Sequence, residues 1–148
     1  FQTPGNMPER IREYCRMTNQ HVPETKGEII RTIAQSLAFK YRSTIEGMEE
    51  VTGKKYNSIN IVGGGIKDKM ICQFSANATK RTVHAGPVEA TSIGNVIVQA
   101  MASGAVKDLS EGRKIISRSF DIAEYIPQDS EDWDRAYEVW KSIVQKTK

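Results

Sequence analysis

The residues best suited to binding chemistry are three consecutive glycines, Gly63, Gly64 and Gly65, which follow a short β-branched segment at residues 58–62. Glycine adopts positive φ angles and leaves no Cβ between the backbone and a ligand. A helical pattern begins just after the turn, and free N–H groups at the start of a helix favour negative charge. This order of strand, glycine turn and helix predicts a place where bare backbone lies against a flat or anionic ligand.

A second glycine-containing segment follows at residues 85–95, and we interpret the two segments as two walls of one site. The glycine turn on its own is a weak signal. It does not fit the G-x-G-x-x-G dinucleotide fingerprint, because the third glycine position falls on Asp68, and it lacks the Gly-Lys-Ser/Thr ending of a P-loop. A tight strand-to-helix turn with no ligand is therefore an open alternative, since glycine occurs at many such connections.

Composition limits the function classes. The 148 residues are 39% hydrophobic and 26% charged, with a net charge of +3, which is typical of one soluble globular domain. Basic residues are spread among acidic ones with no dense basic block, so we expect no nucleic-acid partner. No apolar run approaches the roughly 20 residues that span a bilayer, so we expect no membrane partner.

The cysteines and histidines do not show the spacing of a catalytic or metal-binding motif. Cys15 and Cys72 fit no metal-binding or redox spacing, so we expect two packed free thiols and a reducing, cytoplasmic location. His21 lies in a loop before a proline, and His84 ends a predicted strand. We interpret both histidines as structural, and we assign no catalytic and no metal-binding residue.

Helices must position the glycine segments. Helical spacing predicts them at about residues 7–18, 25–50, 68–79 and 88–103, after Asp108, and from about residue 130 onwards. Thr25 and Glu28 form a capping-box pattern, and Asp68 is a candidate cap for the helix after the glycine turn. The apolar stripe of the longest helix is expected to face the core of its own domain. Gly94 is expected to permit close approach of another backbone.

Strands are fewer. Residues 58–62 and 81–84 are predicted strands joined by a helix, so they should be parallel, and residues 120–126 read as extended. The predicted fold class is α/β, helix-rich with a short parallel strand pair. Such a pair leaves unpaired edges, so we expect the chain to be part of a larger α/β domain and to self-associate through its exposed sheet edge.

The two glycine segments and their surroundings resemble the carboxy-terminal part of the FGGY carbohydrate kinases, the rhamnulokinase branch in particular. The resemblance runs through nearly the whole chain in unbroken order. It is carried by residues 7–15, 22–31, 36–42, 61–65, 73–79, 85–91 and 93–95.

The resemblance implies an actin-like, ribonuclease-H-like ATPase domain, with the chain forming its partial carboxy-terminal, nucleotide-binding part. ATP or ADP, with Mg²⁺, would be the cofactor of the parent enzyme. Gly63, Gly64 and Gly65 would then contact the adenosine. Asp68 stands where the family usually has Asn, so it can accept but not donate a hydrogen bond there. Glu89 would act behind the turn, holding backbone N–H groups or a helix start.

The resemblance also implies what the parent protein does. We expect an ATP-dependent kinase of rhamnulose or a related ketose, with the sugar bound by an amino-terminal domain that is absent here. The family's Asp-x-Gly-Thr phosphate turn and its catalytic Asp are also absent, so we expect this fragment to be inactive alone. Two alternatives stay open: a non-catalytic small nucleotide-binding or interaction module, and, less favoured, a methyltransferase that uses the glycines for an adenosyl group.

Overall fold

The computed structural model describes residues 4–146, which form six α-helices, one 3-10 helix and three short β-strands. The helices are α1 (Met7–Met17), α2 (Lys26–Thr52), α3 (Lys69–Thr79), α4 (Ala90–Ala102), α5 (Leu109–Ser119) and α6 (Ser130–Lys146), with the 3-10 helix at Gly64–Lys67. The strands are β1 (Ser58–Ile61), β2 (Thr82–Ala85) and β3 (Ala123–Tyr125). Each lies within or next to a segment that the sequence predicts.

Local capping signals set several helix starts. The Thr25 hydroxyl accepts from the Glu28 N–H at 3.2 Å, and the Asp108 carboxylate accepts from the Glu111 N–H at 2.9 Å. Each side chain satisfies a backbone donor that has no partner inside the helix. Gly53 ends α2 in the left-handed conformation, at φ 66°, as a glycine stop does.

The sheet differs from the prediction in one respect. The strands β1 and β2 are parallel, as expected, but the sheet has the order β1-β2-β3, and β3 pairs antiparallel with β2. The predicted strand pair is therefore part of a small mixed sheet. Sequence spacing did not reveal this pairing, because β3 has only three residues and pairs with a strand almost 40 residues earlier.

The main core lies between α2, α3 and α6. Phe39 of α2 packs against the rings of Trp133 and Tyr137, with ring centroids 5.5 and 5.7 Å apart, over Ala78 of α3. A smaller cluster joins α1 to the start of α2 through Ile11, Cys15 and Ile29. The aromatic side chains Trp133 and Tyr137 of α6 thus form a packing surface.

Two expectations about helix faces are wrong in part. Only one side of the α2 stripe is buried, and the other side is exposed, with Leu37 38% and Ile30 54% accessible. No heavy atom of the described residues lies within 4 Å of a Cβ built at Gly94, so the close backbone contact expected there is not made. Both features leave helix surface open on this chain.

Candidate functional site

The triglycine turn starts where β1 ends, and its first residue needs to be glycine. Gly63 has φ 80° and ψ −164°, a conformation that only glycine adopts readily. This conformation redirects the chain out of the strand and into the 3-10 helix of Gly64–Lys67. The β-branched run and the three glycines therefore fold locally as the sequence predicts.

The two glycine segments lie side by side. The Gly63 N–H donates to the Pro87 carbonyl at 3.1 Å, and the Gly86 N–H donates to the Ile61 carbonyl at 2.9 Å. These two backbone hydrogen bonds extend the pairing of β1 and β2 past the ends of both strands. They fix the triglycine turn against the segment that follows β2.

The second segment is held in turn by the chain before β3. Gly86 has φ +142°, a conformation that favours glycine, and a Cβ at this position would lie in a tight contact, 3.0 Å from the Asp121 carbonyl oxygen. The Gly86–Pro87 peptide bond is cis. Sequence reasoning missed the contact with Asp121, because it depends on the long-range pairing of β3.

Gly64 and Gly65 present bare backbone to open space. Apart from the adjoining residues, no heavy atom in the part of the chain that the structure describes lies within 4 Å of a Cβ built at either residue. Within residues 4–146, neither the Gly64 N–H nor the Gly65 N–H donates to a protein acceptor. Exposed backbone donors at a turn of this kind can bind a polar or anionic group.

Asp68 caps the helix that leaves the turn. Its Oδ1 accepts from the N–H groups of Met70 at 3.0 Å and Ile71 at 3.1 Å, which confirms the predicted cap. The other carboxylate oxygen makes no protein hydrogen bond in the described residues. Burial raises the pKa of the Cys72 thiol on α3, and the negative charge of Asp68 raises it further.

Glu89 lies at the start of α4, just before Ala90. Its backbone carbonyl accepts from the Ile93 N–H at 3.0 Å, but its exposed side chain makes no capping hydrogen bond. The start of the helix is therefore formed by the main chain of Glu89. A role for its carboxylate stays a prediction.

The remaining candidate side chains are those of the two histidines and the two cysteines. His84 Nδ1 is 3.5 Å from Glu124 Oε1 across the sheet, and His21 Nε2 is 3.6 Å from Glu28 Oε2. Cys15 and Cys72 are free and buried, and burial raises the pKa of both thiols. In the described part of the chain, no three or more His, Cys, Asp or Glu side chains group as a metal site would require.

Two clefts on the chain are separate from the glycine segments. One, of about 570 Å³, lies between α1 and α6 and is lined by Tyr14, Met17 and Ile143, among others. The other, of about 440 Å³, lies beside the starts of β1 and β2 and is lined mainly by charged side chains, including Arg42 and Arg81. The triglycine turn lines neither of these two clefts.

Comparison with known protein families shows which family the chain belongs to. The FGGY family of carbohydrate kinases, C-terminal domain, matches residues 1–103, about 70% of the sequence. The chain belongs to the FGGY family of carbohydrate kinases. The match includes both glycine segments and all of α1 to α4. The candidate site formed by the glycine segments therefore lies within the residues that match the FGGY domain.

Individual relatives agree. The rhamnulokinase of Bacteroides thetaiotaomicron is 43% identical over 145 residues, which is 98% of this chain and 30% of that protein. The rhamnulokinase of Ligilactobacillus salivarius is 44% identical over 86% of the chain and 26% of that protein, and the rhamnulokinase of Bacillus subtilis is 38% identical over 87% of the chain and 27% of that protein. The FGGY chain thus spans about 30% of the length of the curated relatives that it matches.

No helix among residues 4–146 combines the length and the apolar character that crossing a membrane requires.

Proposed function

We propose that this chain supplies the adenosine-facing wall of an ATP-dependent sugar kinase of the rhamnulokinase type. The sugar would be rhamnulose or a related ketose, held mainly by the amino-terminal domain of such a kinase. ATP or ADP with Mg²⁺ is the proposed cofactor, and the proposed surrounding fold is the actin-like ATPase domain. The location is proposed to be cytoplasmic, since both cysteines are buried free thiols.

The observation that carries the proposal is the open face of Gly64 and Gly65. Among the residues that the structure describes, none occupies the space where their side chains would stand and none accepts a hydrogen bond from their N–H groups. Their turn is fixed by the hydrogen bond from the Gly63 N–H to the Pro87 carbonyl. A flat purine or a ribose could therefore contact the backbone directly. A turn that only reversed the chain would need no open face at its second and third glycine.

The side chains near this face have supporting roles in the proposal. The unpartnered carboxylate oxygen of Asp68 could accept from a ribose hydroxyl or an adenine amino group. Lys67 and Lys69 are exposed and next to it in sequence, and either could offset part of the phosphate charge of the nucleotide. Glu89 is proposed to support the second glycine segment from the start of α4. No residue of this chain is assigned to the transfer of the phosphoryl group.

A side chain added at Gly65 tests the proposal. Because the position is open, Gly65→Val should leave the fold intact while its branched side chain occupies the ligand's space. We expect ADP binding, measured by isothermal titration, to weaken at least tenfold. Gly47→Val, at another open position on α2, is the matched control and should bind ADP as the parent chain does. Equal ADP affinity for Gly65→Val and the parent chain would contradict the proposed contact.

A further inference from the structure

Two side-chain amides on α3, those of Gln73 and Asn77, hold the chain that follows β3. The Gln73 Nε2 donates to the Ile126 carbonyl at 2.8 Å and to the Asn77 Oδ1 at 2.8 Å, which uses both of its hydrogens. The same Asn77 Oδ1 accepts from the Gln128 N–H at 3.0 Å, and Asn77 is only 5% exposed. Gln73 and Asn77, here named the α3 amide pair, therefore bind the backbone on both sides of Pro127.

Strand β3 has little else to hold it to the molecule. It has three residues, and two of them, Ala123 and Glu124, are exposed. The next residue, Ile126, is 64% exposed. A strand this short that buries little apolar surface gains little stability from the hydrophobic effect. Its attachment therefore depends mainly on its backbone pairing with β2 and on the α3 amide pair.

The position of β3 matters to the candidate site through Gly86. The chain enters β3 past Gly86, where the Asp121 carbonyl oxygen would lie 3.0 Å from an added Cβ. The Gly86 N–H in turn donates to the Ile61 carbonyl, and the Pro87 carbonyl accepts from the Gly63 N–H of the triglycine turn. A displacement of β3 would therefore remove the support of the second glycine segment, to which the triglycine turn is bonded.

These contacts form a closed ring. The triglycine turn leads into α3, the α3 amide pair binds the segment after β3, the chain before β3 approaches the second glycine segment, and that segment bonds back to the turn. We propose that Gln73 and Asn77 are positioning residues for the adenosine-facing wall, because they are a side-chain link in this ring. The inference rests on the proposed function, and it assigns neither amide a contact with the nucleotide.

Two substitutions break the link. Gln73→Met keeps the length of a half-buried side chain and removes both donors, and Asn77→Ala removes the acceptor. Gln73→Met carries the test if Asn77→Ala does not fold. Gln99→Met on α4 is the matched control, because the exposed Gln99 side chain makes no hydrogen bond within residues 4–146. Ile29→Val, in the cluster between α1 and α2, controls for a general loss of stability.

Amide hydrogen exchange of the 148-residue chain tests the ring without a ligand. An opening that breaks the link should become easier in both variants, so we expect the Gly86 and Gly63 amides to exchange at least fivefold faster than in the parent. Gln99→Met and Ile29→Val should change these rates less than twofold. Unchanged rates in Gln73→Met and Asn77→Ala, or an equal acceleration in Ile29→Val, would overturn the inference.

A calorimetric titration with ADP shows whether the ring matters to the nucleotide wall. At a temperature where every chain is folded, we expect Gln73→Met and Asn77→Ala to bind ADP at least fivefold more weakly than the parent, with unchanged affinity in both controls. Faster glycine exchange with unchanged ADP affinity would mean that the α3 amide pair supports only the fold, and would overturn the inference. If the parent chain does not bind ADP, the proposed function fails, whereas the exchange rates still decide whether the pair holds the glycine segments.

Discussion

Asp68 combines a structural contact with a proposed ligand contact. One of its oxygens caps α3, and the other is open. Asn is as good a helix cap as Asp, so Asp68→Asn should keep the stability of the chain. It also removes a negative charge beside a polyanionic ligand and adds an N–H donor, worth about 1 kcal/mol, or about fivefold in affinity. We expect tighter ADP binding in a calorimetric titration.

Asp68→Ala separates the two contacts. It removes the cap and should lower the free energy of unfolding by about 1 kcal/mol in urea denaturation. If Asp68→Asn and the parent chain bind ADP with equal affinity, Asp68 acts only as a helix cap, and its proposed contact with the nucleotide is wrong.

Glu49 is the residue whose ionisation should control acid stability. The Tyr56 N–H, Arg81 and Lys55 hydrogen-bond its buried carboxylate and lower its pKa from about 4.5 to about 2. A carboxyl group with a lower pKa in the folded state stabilises the fold above its unfolded pKa, and that contribution is lost as the pH falls. We therefore expect the free energy of unfolding to fall between about pH 4.5 and pH 2.

The variant Glu49→Gln checks the assignment. It should be less stable than the parent at pH 7, and its urea midpoint should depend less on pH over that window. A parent and a variant with the same pH dependence would show that other carboxylates control the acid transition.

At the scale of elements, the contact between α4 and α5 depends on Gly112, which has no side chain. A Cβ at Gly112 would lie 2.6 Å from Ile97 Cγ2, so the helices pack closely only with glycine there. Overpacking of this kind costs about 1–3 kcal/mol, and alanine recovers about 1 kcal/mol of helix propensity. We expect Gly112→Ala to lower the thermal midpoint of the chain.

Gly94→Ala is the matched control on α4, because no described residue outside the same stretch of helix lies within 4 Å of the added methyl group. Only the propensity gain of up to about 1 kcal/mol applies, so its thermal midpoint should rise. A higher midpoint for Gly112→Ala as well would mean that α5 moves freely relative to α4.

The same elements show what the sequence could predict. Helix starts follow from contacts three residues apart, such as Thr25 with Glu28, and these were predictable. The turn at Gly63 depends on its own φ and ψ and was also recognisable. The antiparallel β3 and the exposed half of α2 were not, because pairing and burial depend on residues that are distant in sequence.

At the scale of the whole molecule, an ionic network joins three helices around the aromatic core. Arg42 of α2 donates to Glu46 at 2.8 Å, to the Ala78 carbonyl of α3 at 3.2 Å and to Asp134 of α6 at 2.7 Å. Its guanidinium also lies 4.1 Å from the centre of the Tyr137 ring. This network ties the carboxy-terminal end of α3 to α2 and α6.

The catalytic activity of the chain is also a property of the whole molecule. Transfer of a phosphoryl group needs a positioned base and groups that hold the γ-phosphate and Mg²⁺, and we assign none of them to this chain. We therefore expect no ADP release above blank from the 148-residue chain with ATP, Mg²⁺ and rhamnulose in a coupled assay. The full-length rhamnulokinase of Bacteroides thetaiotaomicron serves as the positive control. Clear turnover by the chain alone would contradict the proposed division of roles.

The most direct test of the central claim is residue-resolved amide NMR of the chain during an ADP titration. We predict saturable shifts of the Gly64 and Gly65 amide signals. The amide signals of Asp68 and of Gly63, whose N–H is bonded to the Pro87 carbonyl, should shift less, and those of α6 should not shift. Shifts confined to the cleft between α1 and α6, or no shift at the three glycines at saturating ADP, would contradict the claim that this bare backbone contacts adenosine.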